Sequence, residues 1–80
     1  MNPDTQAQAR AAILSACATE TMNMKGILSN PDVKPLVEEH GEWDVKQLVY
    51  ALARSGLLFS RGQRAGKLYR TSAEGRQFIS

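Results

Sequence analysis

The sequence contains few of the residues that build covalent cross-links, metal sites or catalytic centres. It has one cysteine, Cys17, and one histidine, His40. A single cysteine forms no internal disulfide, which is typical of a reducing cytoplasm, and one cysteine with one histidine cannot supply four zinc ligands. No nucleophile, base and carboxylate are spaced as a catalytic set. We therefore expect a protein that is not an enzyme and that uses no metal or cofactor.

Long apolar runs are also absent. No run approaches the roughly 18 residues that cross a membrane, and the first residues contain neither the basic segment nor the apolar core of a signal peptide. We therefore expect a cytoplasmic protein with no membrane contact. A chain of 80 residues with 42% hydrophobic and 22% charged residues is typical of one soluble globular domain, here residues 1–80.

Acidic residues are nearly missing from the last third of the chain. Residues 54–80 include six basic residues and one acidic residue, Glu74, whereas residues 1–53 include four basic and seven acidic residues. The net charge of +2 therefore combines a segment of −3 with a segment of +5. This asymmetry predicts a surface that faces a polyanion, and the other interpretation is a solvated basic face.

The clearest apolar pattern lies between Trp43 and Leu58. The residues Val45, Leu48, Val49 and Leu52 follow the i, i+3, i+4, i+7 spacing of a helix with one buried face. The opposite face carries Lys46, Gln47, Tyr50 and Arg54. We expect Asp44 near the positive end of this helix, Gly56 at its C-terminus and Trp43 as a core residue beside it.

The N-terminal half has weaker local signals. Asn2 and Pro3 predict the start of a helix over residues 4–20, because asparagine caps helices and proline suits their first turn. The residues expected near its buried face are Ala7, Ala11, Ile13, Leu14, Cys17 and Ala18. Residues 22–28 suggest a short second helix that Gly26 weakens, and Asn30-Pro31-Asp32 predicts a turn.

The C-terminal third predicts a β-hairpin and then a short helix. Residues 57–59 and 68–70 have strand patterns, and two glycines lie in the loop between them. The final helix, residues 72–79, is expected to begin at Thr71 or Ser72, and Thr71 with Glu74 matches a capping box. The residues expected to share one core are Val45, Leu48, Val49, Leu52, Leu57 and Leu68.

Three of these segments are similar to parts of one known family. Residues 36–41 resemble the second helix and turn of a helix-turn-helix, and residues 45–58 match the apolar skeleton of its recognition helix. Residues 69–76 resemble the strand and closing turn of bacterial winged-helix regulators of the multiple-antibiotic-resistance type. The resemblance implies an α+β winged helix-turn-helix with three to four helices. It places the helix-turn-helix at about residues 31–55, a two-stranded wing at about 57–70 and a short final helix.

In that family the recognition helix enters the major groove, and the wing touches the DNA backbone or the minor groove. Carried over by position, the implied recognition-helix contacts are Asp44, Lys46, Gln47, Tyr50 and Arg54. The implied wing contacts are Arg61, Arg64, Lys67 and Arg70. Glutamine suits adenine and lysine suits guanine in the major groove.

The expected function is therefore sequence-specific binding of double-stranded DNA by a small bacterial or phage transcriptional regulator. The long dimerisation helices of the family have no counterpart here, so the chain would form a homodimer through its first helix, bind as a monomer or act on another protein. The alternative is a winged-helix protein-interaction module, an adaptor or a phage-encoded inhibitor of a host protein. The acidic residues Glu38, Glu39 and Glu42 favour this alternative.

Overall fold

The structure of the chain is a computed structural model, which describes residues 2–63 and 66–79. These residues form an α+β arrangement of five helices and one three-stranded antiparallel sheet, which confirms the expected fold class. In chain order the elements are α1 (Pro3–Thr19), β1 (Met22–Asn23), α2 (Met24–Ser29), α3 (Lys34–His40), α4 (Glu42–Arg54), β2 (Leu58–Arg61), β3 (Leu68–Thr71) and α5 (Ala73–Ile79).

Helix α1 begins as the sequence predicts. The backbone N–H of Thr5 donates to Asn2 Oδ1 at 2.7 Å, and Pro3 lies in the first turn. Its buried residues are Ala9, Ile13, Leu14, Ala16 and Cys17. The expectation for Ala7 was wrong, because this residue is exposed. Alanines carry little apolar surface, so the larger Ile13 and Leu14 decide which side of the helix is buried.

The segment after α1 contains a strand that the sequence did not predict. Met22 and Asn23 pair with Tyr69 and Leu68 of β3. Asn23 then caps α2, since its Oδ1 accepts a hydrogen bond from Gly26 N at 2.8 Å. Two strand residues are too few to produce an alternating pattern, which explains why only a helix was expected here.

Helices α3 and α4 are joined by Gly41 alone. Its φ of 90° lies in the region that favours glycine, so the chain can reverse direction within one residue. Helix α4 buries the predicted residues Val45, Val49 and Leu52, and Leu48 packs partly against the same core. Asp44 lies in the first turn of α4, but no side chain caps this helix.

The C-terminus of α4 has the predicted glycine stop. Gly56 has a φ of 82°, Leu57 N donates to Leu52 O at 3.0 Å, and Gly56 N donates to Ala53 O at 3.3 Å. This pair of hydrogen bonds is a Schellman motif, which satisfies the last carbonyls of the helix and turns the chain into β2.

The sheet has the order β1-β3-β2. The side chains of Leu58, Tyr69 and Thr71 are buried on its inner face, whereas Phe59 and Leu68 are exposed. Leu68 was expected in the core, and this was wrong: alternate strand residues point to opposite faces, and Tyr69 occupies the inner position.

The buried residues of the core come from α1, α2, α4, β2 and β3, and from Val33, which precedes α3. Its buried members are Ile13, Leu14, Cys17, Ile27, Val33, Val45, Val49, Leu52, Leu58 and Tyr69. Trp43 was expected to belong to it, but 69% of this residue is exposed.

In the part of the chain that the structure describes, no helix combines the length and the apolar character needed to cross a membrane.

Helix α5 packs mainly against α1, and its N-terminal end lies on the corner between α4 and β2. Ser72 caps it by accepting from Gly75 N at 3.1 Å, and the same hydroxyl donates to Gly56 O at 2.6 Å. The Thr71 hydroxyl instead donates to the carbonyl of Leu14 in α1 at 2.6 Å. The capping box expected from Thr71 was therefore wrong, because this side chain points inward and Ser72 takes its place.

Candidate nucleic-acid interface

The exposed side of α4 presents one continuous stripe of aromatic, amide and basic side chains. Trp43, Gln47, Tyr50 and Arg54 are spaced i, i+4, i+7 and i+11, which places them within about 60° of each other around the helix axis. This stripe lies opposite the buried side of the helix. Trp43, Tyr50 and Arg54 are exposed, and Gln47 is half-buried. We refer to these four residues as the α4 stripe.

The other two residues expected on this helix lie on its flanks rather than in the stripe. Lys46 is beside α3, and its Nζ is 3.2 Å from Glu42 Oε1 in an i, i+4 ion pair. Asp44 lies on the opposite flank, where it lines a shallow groove with Gln6 of α1 and Gln47. The stripe itself therefore contains no carboxylate, and its one charged group is the guanidinium of Arg54.

Trp43 is the site residue that the sequence reasoning missed. Its exposure follows from the same periodicity that identified the core face: the buried positions of α4 are Val45, Val49 and Leu52, and position 43 lies on the other side of the helix. The residue type, which favours burial, was given more weight than the position. The helical spacing is the signal that would have placed this tryptophan outside.

The turn before α4 is acidic. Glu38, Glu39 and Glu42 are exposed, and Glu39 Oε2 lies 3.7 Å from His40 Nε2. That nitrogen is buried and has no hydrogen-bond partner among the residues that the structure describes. These carboxylates precede the α4 stripe along the chain. Two of them lie on α3, and Glu42 is the first residue of α4.

The hairpin of β2 and β3 carries the expected basic residues on its exposed surface. Arg61 and Arg70 are exposed, and Lys67 is half-buried; Arg64 lies outside the described residues. Register pairs Phe59 with Arg70 and Arg61 with Leu68. The Arg70 guanidinium lies 5.4 Å from the centre of the Phe59 ring, within the range of a cation–π contact.

A groove of about 360 Å³ lies over this outer face of the sheet. Its lining contains no acidic residue and consists of Thr21, Phe59, Ser60, Arg61, Leu68 and Arg70. The two guanidiniums are therefore not neutralised within the groove. Together with the exposed apolar groups, they form a surface that attracts anions while offering apolar contact.

Two buried titratable groups belong to the core of the fold rather than to the candidate interface. Burial raises the pKa of the Cys17 thiol to about 11, so the thiol stays protonated and unreactive at neutral pH. Burial also raises the pKa of Tyr69, and the nearby Tyr50 contributes to the same shift. Among residues 2–63 and 66–79, no group of three histidine, cysteine or carboxylate side chains is arranged to hold a metal ion.

A larger groove lies between α2, α3 and α4 and has a volume of about 580 Å³. Its apolar lining includes Met24, Leu28 and Val37, and the Lys46–Glu42 pair lies at its rim.

No family model, no curated protein and no solved structure matches this chain.

Proposed function

We propose that the chain is a winged helix-turn-helix domain that binds double-stranded DNA in a sequence-specific manner and acts as a small transcriptional regulator in the cytoplasm. The order of elements supports this fold. A helix pair joined by one glycine precedes a two-stranded hairpin, and the short strand β1 pairs with β3. In this assignment α3 and α4 are the helix-turn-helix, α4 is the recognition helix, and β2 and β3 form the wing.

The observation that carries the proposal is the α4 stripe. A recognition helix presents hydrogen-bonding and apolar side chains outward to the base edges, and a surface without acidic groups avoids repulsion by the phosphates. Gln47 has the amide geometry for an adenine edge, and Arg54 has the donors for guanine or phosphate. The stripe spans about 16 Å along the helix, or about five base pairs of duplex.

The wing supplies the charge that is independent of sequence. Arg61 and Arg70 lie on the exposed surface of the hairpin, and Lys67 lies beside them. Contacts from such residues to phosphates release counterions. The logarithm of the binding constant should therefore fall with the logarithm of the salt concentration, with a slope of about 0.9 per phosphate contact. The α4 stripe would then decide which sequence is bound, and the wing would provide much of the affinity for any duplex.

The test is fluorescence anisotropy with a random duplex and with a duplex selected from a random pool, at several salt concentrations. Replacing Arg61 and Arg70 by alanine should reduce the salt slope by about 1.8 on both duplexes, since two phosphate contacts are lost. Arg10→Ala, which removes one positive charge from α1, is the control and should leave the slope unchanged. Absence of binding to either duplex at low salt would refute the proposed function.

A second candidate function, a protein-interaction module, is favoured by one specific observation. Phe59 is 58% exposed and Leu68 is 41% exposed on the same face of the sheet, which gives an apolar surface beside two arginines. An acidic, partly apolar segment of another protein would fit this surface. The test is Phe59→Ala: loss of a purified partner complex with unchanged DNA binding would favour this function for the sheet.

A second copy of this chain, in a homodimer joined through α1, is another candidate partner. The exposed residues of α1 that a homodimer would use are small or polar, and they include Ala7, Gln8 and Ser15. Its larger apolar side chains, Ile13 and Leu14, already pack in the core of the same chain. Light scattering on the free protein and on the DNA complex distinguishes a monomer from a homodimer joined through α1.

A further inference from the structure

Trp43 has an environment that the fold alone does not explain. It is the only tryptophan of the chain, and 69% of it is exposed, compared with 38% of Tyr50 on the same helix. A tryptophan carries a large apolar surface, and leaving it in water forgoes the stabilisation that burial would give. Its side chain therefore has the properties of a contact residue for a partner.

The neighbours of Trp43 indicate the class of partner. The α4 stripe places Gln47, Tyr50 and Arg54 in line with it, and none of these side chains is acidic. An interface with a basic protein would be expected to include carboxylates here, whereas the negative phosphates of a duplex disfavour them. Trp43 is also the second residue of α4, and the N-terminal residues of a recognition helix are those that reach base edges.

We infer that Trp43 and Gln47 together select A·T base pairs, with the Trp43 ring packed on the 5-methyl group of a thymine and the Gln47 amide bonded to an adenine. This inference rests on the proposed function. Thymine is the base whose major-groove edge presents a methyl group, so it is the natural contact for an apolar ring. The adenine edge presents the acceptor and donor that a glutamine amide matches.

The spacing of the two residues limits where these bases lie. Trp43 and Gln47 are four residues apart on one side of the helix, which corresponds to about 6 Å along the axis. Successive bases are 3.4 Å apart along a strand. The thymine and the adenine should therefore lie within about two base pairs of each other in the selected site.

The experiment replaces thymine by uracil, which removes the 5-methyl group and keeps the base pairing. Each thymine of a duplex selected from a random pool is changed one at a time, and affinity is measured by anisotropy. Wild-type protein should lose about fourfold in affinity at one position, the effect of one buried methyl group. Trp43→Ala should bind the thymine and uracil duplexes equally at that position.

Phe78→Ala is the matched control, because Phe78 is another exposed aromatic residue, 49% exposed and located on α5. This variant should keep the fourfold preference for thymine. Because the chain has one tryptophan, the intrinsic fluorescence of the wild-type protein gives a second readout that needs no variant. Binding of the selected duplex should shield Trp43 from quenching by acrylamide.

The outcomes separate this inference from the proposed function. If the protein binds no duplex, the proposed function fails and the inference fails with it. If it binds duplex but no uracil substitution weakens wild-type binding, the inference alone is refuted. The same conclusion follows if Trp43→Ala retains the full preference for thymine, or if acrylamide quenches Trp43 equally in the free and bound protein.

Discussion

Gly75 is the position where a single methyl group should disturb the fold most sharply. A Cβ added there would overlap Leu57 O and would lie 2.7 Å from Thr71 Cγ2. Neither neighbour can move freely. Leu57 O accepts a hydrogen bond from Ser72 N at 3.0 Å, and Thr71 is held by its hydroxyl bond to Leu14 O at 2.6 Å.

The expected cost of Gly75→Ala follows from two opposing effects. Forcing a methyl group into a packed site against fixed backbone costs about 3 kcal/mol, the upper part of the usual range. Alanine returns about 1 kcal/mol because it favours the helical backbone of α5. The net loss of about 2 kcal/mol should lower the melting temperature by roughly 8–16 °C in a domain of this size.

The assay is thermal and urea unfolding followed by circular dichroism. Gly66→Ala is the control, because among the described residues, its chain neighbours aside, no atom lies within 4 Å of the Cβ that would be added at Gly66. This second variant should melt close to the wild-type temperature. If Gly75→Ala is as stable as wild type, then α5 does not dock tightly against Leu57, and the description of that corner is wrong.

Four further outcomes are expected. Leu52→Ala should cost about 2–5 kcal/mol of unfolding free energy in urea, since this leucine is 2% exposed in the core; an unchanged urea midpoint would contradict its placement. Thr71→Val should cost about 1 kcal/mol, because it removes a hydrogen bond while keeping the shape, and a gain in stability would show that this bond contributes nothing. Burial raises the folded-state pKa of Cys17 from 9.0 to about 11. The free energy of unfolding should therefore fall by up to about 3 kcal/mol as pH rises from about 9 to 11. Cys17→Ala should lack that part of the pH dependence, and identical pH curves for the two proteins would exclude the thiol as its source. Gln47→Ala should weaken binding to the selected duplex by about 1–3 kcal/mol in anisotropy titrations and leave binding to random DNA unaffected. An equal loss on both duplexes would show that Gln47 contacts the DNA backbone rather than a base.

Local chemistry made several features predictable from the sequence. The Asn2 cap and the Gly56 stop depend on residues within one turn of each other, so nothing distant can change them. The buried side of α4 was predictable for a similar reason, because Val45, Val49 and Leu52 are bulky and regularly spaced. In each case the pattern and the packing agree.

The errors arose where residue type and position gave opposite indications. Trp43 and Leu68 are apolar residues at outward positions of a helix and a strand, and their positions decided the outcome. The strand β1 was missed because its two residues become a strand only by pairing with β3, which lies more than forty residues later in the chain. Of the candidate site, Gln47, Tyr50 and Arg54 could be placed from periodicity, whereas the ion pair of Lys46 depends on the exact start of α4.

The hydrogen bonds that join α1 to β3 and α5 have a consequence for how the chain is made. Thr71 donates to Leu14 O, and Arg76 Nη2 donates to Ala18 O at 3.0 Å across a separation of 58 residues. During translation, α1 emerges well before the partners of its C-terminal half exist, and at roughly 5–20 residues per second the wait lasts several seconds. The part of α1 that contacts β3 and α5 must therefore remain uncovered, or be covered by a chaperone, until residues 68–79 leave the ribosome. A ribosome stalled between these segments would hold a chain that has α4 but lacks the elements that close its core.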